Sequence, residues 1–161
     1  MIVKYKVELD DKRHPFLVGE SVCYYENSRL DGAGKIVDMM NECFNLCNMA
    51  EEYVYMVALN SAAVPVGVFE VSHGCINFTL LNPRELYLRA LLSGGVGIVV
   101  LHNHPSGDPH PSKEDKAACE RIKEAGEIMG ISLYDFIVVG DGKYLSFYEE
   151  CMLNAKSPCP V

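Results

Sequence analysis

Two histidines at the end of an apolar run are the strongest candidates for a chemical role in this sequence. His102 and His104 are two positions apart and follow the run Val96–Leu101. Side chains alternate along a strand, so both imidazoles are expected to project to the same side. Asp115 falls in the first turn of a predicted helix, where its carboxylate can reach the same point. Two histidines and a carboxylate with one open position are typical of a catalytic zinc site, where zinc lowers the pKa of a bound water to about 7.

Other interpretations of this segment stay open on the residues alone. Ser112 and Asp115 also have the spacing of a capping box, which is compatible with a role at a metal. Asp108 is a rival third ligand, although its side chain would more naturally brace the turn after His104. The same donor set holds non-haem iron in other proteins. A zinc deaminase would need His-x-Glu and a later Pro-Cys-x-x-Cys, and the sequence has neither.

The elements that must position these residues follow from hydrophobic periodicity. Helices are predicted from about residue 34 to 49, from Pro83 to Gly94, and from Ser112 to about Met129, whereas residues 11–31 are expected to be irregular. Strands are predicted at 2–9, 53–59, 66–71, 96–101, 136–139 and 144–148, and residues 75–80 would continue the sheet. This order predicts an α/β fold, with a mixed central β-sheet sandwiched by helices. The strand 96–101 is expected near the middle, so that its carboxyl end presents the histidines.

Charge and composition exclude several classes of function. The 161 residues carry a net charge of -8, and 49% of them are hydrophobic, as in a soluble globular domain. Phosphate binding needs clustered bases, but those of the third predicted helix alternate with acids, so strong nucleic-acid binding by this chain alone is not expected. The sequence shows neither a leader nor an apolar run that could span a bilayer. We therefore expect no membrane association and a cytoplasmic location.

The cysteines suggest the same compartment. Seven cysteines cannot all pair within one chain, and the absence of a complete disulfide set favours a reducing environment. Cys43 and Cys47 are four apart on a predicted helix and would share one face. A metal held by this pair is a weaker hypothesis than two small core residues.

The segment from His102 to Asp115 also resembles a known family. His102-x-His104-Pro105, the ten residues between His104 and Asp115, and Ser112-x-x-Asp115 match the JAMM (MPN+/JAB) metalloprotease motif. The full run of residues from His102 to Asp115 is similar to that of the bacterial RadC family, as are residues 74–77 and 82–85. The likeness covers roughly residues 52–149. It implies a JAB/MPN (cytidine-deaminase-like) fold and one Zn²⁺ per chain, held by His102, His104 and Asp115.

The resemblance also implies an activity. It identifies the chain as a zinc metallopeptidase, a peptidase or isopeptidase whose zinc-bound water is activated by a glutamate, with a peptide or protein as substrate. Glu52 fits the position of this general base, and Glu51 and Glu70 are rivals for it. The hydroxyl of Ser112 would donate to the oxyanion. The alternatives are a metal-binding interaction module without turnover, or a RadC-type protein linked to DNA repair or mobile elements.

Three departures from the family pattern matter. RadC-like proteins usually begin with a helix-hairpin-helix region, whereas residues 1–50 predict a strand, an irregular stretch and a helix. We therefore expect an N-terminal extension packed on the core over 1–50, the catalytic domain over 51–150, and a frayed tail over 151–161. The pair Asp135-Phe136 replaces Asp-His, and Cys119 replaces Thr; Asp135 is expected to be a buried group. Four side chains are candidates to line a groove, although core or loop packing explains each better: Tyr24, Tyr25, Phe69 and His110. The sequence predicts no oligomeric state.

Overall fold

The computed structural model describes residues 1–26, 29–74 and 81–153. In this part of the chain, seven strands and three α-helices form one mixed sheet with helices on both faces. The strands are β1 (Ile2–Leu9), β2 (Pro15–Cys23), β3 (Tyr53–Leu59), β4 (Pro65–His73), β5 (Gly97–Asn103), β6 (Ser132–Gly140) and β7 (Lys143–Ser146). The helices are α1 (Ala33–Phe44), α2 (Pro83–Ser93) and α3 (Lys113–Met129), and a short 3-10 helix spans Leu46–Asn48.

The strand order is β2-β1-β4-β3-β5-β6-β7, which puts β3 at the centre and β5 beside it. β5 pairs antiparallel with β3 and parallel with β6. The core has two halves: α2 and α3 pack with one face of the sheet, and α1 packs with the other. The predicted α/β class, with a mixed sheet between helices, is therefore confirmed. Residues 1–50 supply two strands to this same sheet and a helix to its core.

Local sequence explains the elements that carry the candidate site. All seven residues of β5 are buried, as expected for a strand covered on both faces. In α2, Asn82 caps the helix through its side chain and Pro83 is the first helical residue. Helix α3 begins after Ser112 and ends at Gly130, whose φ of 68° is the left-handed conformation that suits glycine.

The prediction that residues 11–31 are irregular was wrong over β2. Asp10 accepts backbone hydrogen bonds from Lys12 and His14, and the turn that it stabilises returns the chain as an antiparallel partner of β1. The pattern hid this strand because it lies at the sheet edge, where a proline and mostly exposed residues are tolerated. Its register with β1 also shifts between Lys4 and Tyr5, which breaks the alternation.

Other boundaries differ by a few residues. Helix α1 ends at Phe44 rather than near Met49, because Asn45 adopts a left-handed φ of 54° and a 3-10 helix follows. On α2, Leu91 is 55% exposed, whereas Tyr87 is buried. The β6–β7 hairpin is present as predicted, although β7 ends at Ser146. The predicted sheet continuation at 75–80 and all but the first three residues of the 151–161 tail lie outside the described residues.

One disulfide was not anticipated. Cys23 at the end of β2 is bonded to Cys43 of α1, so the hypothesis of a metal shared by Cys43 and Cys47 is wrong. Cys47 and Cys119 have free thiols, and Cys119 is buried. No helix in the described ranges is long and apolar enough to cross a membrane. The cytoplasmic location stays a prediction.

Candidate metal centre

His102 and His104 converge as their spacing predicts. His102 lies in β5 and is fully buried, with its ring edge-on to Phe136. His104 follows the strand, and its backbone N–H donates to Val139 of β6, which keeps the chain extended past the strand end. The two Nε2 atoms are 3.1 Å apart. Both imidazoles therefore point at one place on the side of the sheet that α3 covers.

Asp115 brings its carboxylate to the same place from the first turn of α3. Its Oδ1 is 3.3 Å from His102 Nε2, and its Oδ2 is 3.6 Å from His104 Nε2. The predicted capping box is also present: the Ser112 N–H donates to Asp115 Oδ2 at 2.6 Å, and the Asp115 N–H donates to Ser112 Oγ at 3.0 Å. One carboxylate thus starts the helix and faces both histidines. Ser112 Oγ accepts in this cap, so its own proton stays available to a ligand.

Burial and close contacts set the charges of these groups. Burial raises the pKa of Asp115, but the contacts with His102 and His104 outweigh it and hold that pKa far below its usual range. Burial lowers the pKa of His102 despite the neighbouring Asp115. The Asp115 carboxylate, 3.6 Å from Nε2 of His104, raises the pKa of that histidine. An ionised carboxylate beside a buried neutral imidazole is the protonation state in which these groups ligate metals.

These residues fit a divalent metal. Asp115 Oδ1 is buried and has no hydrogen-bond partner among the described residues, an arrangement that is costly unless another group satisfies the oxygen. Two nitrogens bonded to one tetrahedral zinc at about 2.0–2.1 Å lie about 3.3 Å apart, close to the 3.1 Å between the histidines.

Glu52 adds a second carboxylate to the same group. One of its oxygens and one ring nitrogen each of His102 and His104 lie within 4.8 Å of one another. Val54 of β3 pairs with His102 of β5, so the residues just before β3 lie beside those just after β5. Burial raises the pKa of Glu52, and the nearby Asp115 charge raises it further, while His104 opposes both. Glu52 can therefore serve as a ligand or as a proton acceptor.

The rival acids have other partners. Glu51 is exposed, and its backbone carbonyl, not its carboxylate, accepts a hydrogen bond from Asn103 of β5. Glu70 lies on β4, where its carboxylate is 2.8 Å from Lys4 Nζ and 2.8 Å from His73 Nδ1. The Asp108 carboxylate accepts from the exposed His110 at 2.6 Å. Of these three, none brings a carboxylate into the group around His102 and His104.

The loop after His104 orients that histidine. His104 Nδ1 donates to the Asp108 carbonyl at 2.8 Å, which leaves Nε2 unprotonated and directed at the site. Gly107 has a left-handed φ of 83°. The loop packs so closely on the β6–β7 turn that a Cβ at Gly140 would lie 2.6 Å from the Gly107 carbonyl oxygen. The two glycines thus fix the loop against the sheet.

An open cleft of about 700 Å³ lies beside His104. Its walls are the 3-10 helix, the loop after His104 and the start of β7, and they include Cys47, Met49, Pro105, His110 and Lys143. Of the four side chains considered for a groove, only His110 lines this cleft. Phe69 and Tyr25 belong to the core, and Tyr24 is 83% exposed elsewhere.

The sequence interpretation missed Asn103, the residue between the two histidines. It is buried, and its amide bonds to the backbone on both sides of Glu52. Its signal in the sequence was a polar amide directly after an apolar run and between the two histidines. Asp135 is buried as expected, with its carboxylate accepting from Ser146 and from the Phe136 and Tyr148 N–H groups.

Comparison with known proteins agrees with this architecture. The family described as the RadC-like JAB domain matches residues 31–152. A UPF0758 protein of Pelobacter propionicus is 41% identical over 110 residues, covering 68% of this chain and 48% of that protein. A UPF0758 protein of Thermotoga maritima is 37% identical over 122 residues, covering 76% of this chain and 54% of that protein. The chain thus spans about half the length of the curated relatives it matches. On the family match and these identities, the chain belongs to the RadC-like JAB domain family.

Proposed function

We propose that this chain is a zinc-dependent hydrolase of the JAMM type that cleaves an amide bond in a peptide or protein. The observation that carries the proposal is the convergence of His102, His104 and Asp115, with the Glu52 carboxylate beside them. One buried oxygen of Asp115 lacks a partner among the described residues. Two histidines and two carboxylates, with His104 lining an open cleft, suit hydrolysis better than storage of a metal.

In this proposal, three residues hold one metal ion. His102 and His104 ligate through Nε2, and Asp115 ligates through its carboxylate while it keeps the α3 cap. A divalent metal held there supplies a Lewis acid and makes a nearby water more acidic. Because the Asp108 carbonyl fixes the His104 ring, that ligand needs little reorganisation to bind.

Glu52 then acts on protons rather than on the metal. Its half-buried carboxylate takes the proton of the attacking water and passes it to the leaving amine nitrogen. Partial burial raises its pKa, which makes it a better base than an exposed glutamate. The Ser112 hydroxyl donates to the oxygen that becomes negative as the carbonyl is attacked. The open cleft beside His104 is where we expect the peptide to bind.

The test is hydrolysis of a peptide and isopeptide library by zinc-loaded protein, by chelated protein and by Glu52→Gln. We expect cleavage by the zinc-loaded chain alone and a rate lower by about 10²–10⁴-fold in Glu52→Gln. Glu70→Gln is the matched control, because it removes an equal charge from a carboxylate outside the site. Bound zinc without any cleavage would favour the alternative of a binding module. Cleavage that survives in Glu52→Gln would contradict the assignment of the base.

We further propose a peptide or protein rather than DNA as the partner. The net charge is -8, and the cleft beside His104 is lined by Asp108 and Asp141 as well as by Lys143. Binding to nucleic acid through phosphates depends on clustered Lys and Arg and falls steeply with salt. A salt titration with duplex, branched and single-stranded DNA should show no binding by this chain at low salt. Tight binding that weakens with salt would contradict this part of the proposal.

A further inference from the structure

The side chain of Asn103 is buried within the sheet, 1% exposed, on the face opposite His102 and His104. Alternation along β5 produces this placement, since the histidines flank it in sequence. Its Oδ1 accepts from the Tyr53 N–H at 2.8 Å. Its Nδ2 donates to the carbonyls of Met49 at 3.2 Å and Glu51 at 3.0 Å. Both the oxygen and the nitrogen of the Asn103 amide therefore form hydrogen bonds with one short stretch of backbone.

That stretch is the one that carries Glu52. The three bonded backbone groups belong to residues 49, 51 and 53, on both sides of Glu52. From the other direction, the Gly74 N–H donates to the Glu52 carbonyl at 3.0 Å, which fastens the same residue to the end of β4. The segment connects the 3-10 helix to β3 and has no regular hydrogen bonding of its own before Tyr53. Its path thus depends on these side-chain and backbone contacts.

We propose that Asn103 is a positioning residue that sets the distance between Glu52 and the histidines. It is covalently next to His102 and His104, so the amide ties the Glu52 segment to the backbone that presents both imidazoles. The inference rests on the proposed function, because positioning matters only if Glu52 acts beside the metal ligands. It adds a residue that touches neither metal nor substrate.

The chemistry of the amide explains why another side chain would not serve. One acceptor and two donors are required, and a neutral carboxamide provides both. Aspartate would keep the acceptor for Tyr53 but place negative oxygens against two carbonyls. Alanine would leave the Tyr53 N–H without its partner, at the full cost of an unmade buried bond. Asn103→Asp therefore removes the two donated hydrogen bonds, whereas Asn103→Ala removes all three.

The experiment compares Asn103→Asp and Asn103→Ala with Asn60→Ala. Asn60 is a matched control, because its Oδ1 also accepts two backbone N–H bonds, those of Ala62 and Val64, in the β3–β4 turn. Amide hydrogen exchange of Tyr53 reports the bond to Asn103, and crystal structures of the metal-free variants report the position of Glu52. Neither measurement depends on catalytic activity. Titration with Zn²⁺ alone and the kcat and KM of the best library peptide report the consequence.

We expect exchange of the Tyr53 amide to be at least about tenfold faster in Asn103→Ala and unchanged in Asn60→Ala. The Glu52 carboxylate should leave the 4.8 Å group that it forms with the histidines. Zinc affinity should stay within about threefold, while kcat falls at least about tenfold at similar KM.

Two results would overturn the inference. One is an unchanged Tyr53 exchange rate with Glu52 still in place in the variant crystal structures. The other is a displaced Glu52 with kcat unaltered, while Glu52→Gln abolishes cleavage; this would leave the proposed function standing. If the original chain binds no zinc, the proposed function fails independently of Asn103. In that case, a Glu52 that stays in place in Asn103→Ala would still refute the positioning role of Asn103.

Discussion

Two clusters of histidine and carboxylate in this molecule differ in their burial and in the presence of a lysine. On β4, Glu70 lies 2.8 Å from Lys4 Nζ and 2.8 Å from His73, and its side chain is 26% exposed. At the end of β5, Asp115 faces two histidines and is 1% exposed. In the described ranges, neither Asp115 nor Glu52 forms an ion pair with a lysine or arginine. The first cluster is neutralised by the chain itself, and the second calls for a cation from outside.

The pKa directions support this distinction. Burial raises the pKa of Glu70, but Lys4 and His73 outweigh it and lower that pKa. The pKa of Asp115 is lowered only by imidazoles and by the helix cap. A protonated imidazole is a poor permanent partner at neutral pH, because His102 is buried and its own pKa is lowered. A bound metal would satisfy the carboxylate and both rings together.

The difference between the two clusters predicts that the Asp115 carboxylate, and not one outside the group, determines the affinity for zinc. We expect Asp115→Asn to weaken zinc binding by more than about 100-fold, because it removes a charged ligand but keeps an oxygen for the α3 cap. Asp108→Asn is the matched control and should leave zinc affinity unchanged, since that carboxylate is exposed and bonded to His110. Isothermal titration with Zn²⁺ measures both. Equal affinities in the two variants would contradict the assignment of Asp115.

A third carboxylate, that of Asp135, differs from those in both clusters because all of its hydrogen-bond donors are neutral. Burial raises its pKa to about 6 although three hydrogen bonds oppose this. Its folded pKa therefore exceeds its ordinary value of 3.8, so the folded state binds the proton more tightly. The stabilisation is complete below about pH 4 and is lost as the pH rises through 6, in total about 3 kcal/mol.

Urea unfolding of the original chain and of Asp135→Asn tests this. The amide can still accept from the Phe136 and Tyr148 N–H groups, so the variant should fold. The difference in unfolding free energy between the two proteins should grow in favour of Asp135→Asn from pH 4 to pH 7. A difference that is constant with pH would show that Asp135 titrates normally.

Zinc should stabilise the folded chain through the second cluster alone. With free zinc at 100 times its dissociation constant, the free energy of unfolding should rise by about 2.7 kcal/mol. Thermal or urea unfolding with zinc and with a chelator measures the gain. Asp115→Asn should lose most of the gain at the same zinc concentration, whereas the variant Glu70→Gln should keep it. Stabilisation that persists in Asp115→Asn would place the metal elsewhere.

The smallest effect is expected at the neutralised cluster. Glu70 is only partly buried, so solvent screens its ion pair with Lys4, and Glu70→Gln should cost at most about 1 kcal/mol. Because the pKa of Glu70 is lowered, its contribution is present above the ordinary pKa of 4.5 and should disappear as the pH falls below it. Zinc affinity should not change. A loss of zinc binding in Glu70→Gln would erase the distinction between the clusters.

Much of this architecture could be predicted from local pattern. β3 and β5 are continuous apolar runs, α2 and α3 carry their own start and stop residues, and the spacing of His102 and His104 fixes their common direction. These features depend on neighbours in sequence, so periodicity detects them. The helix start after Ser112 was likewise enough to direct Asp115 at the histidines.

The remaining features depend on contacts between distant segments. Which of Glu51, Glu52 and Glu70 lies beside the histidines depends on the β3–β5 register, which pairs Val54 with His102. The bonds of Asn103 join residues about 50 positions apart. The Cys23–Cys43 disulfide likewise required β2, a strand that has no clear alternation. No local pattern reports such pairings.

X-ray absorption at the zinc edge, with metal analysis, tests the proposed metal centre of the original chain most directly. We expect one zinc per chain with two imidazole nitrogens and carboxylate oxygen as ligands, and loss of that signal in a double variant His104→Ala and Asp115→Asn. A chain that takes up no zinc, or that binds it through cysteine sulfur, would contradict a metal centre formed by His102, His104 and Asp115.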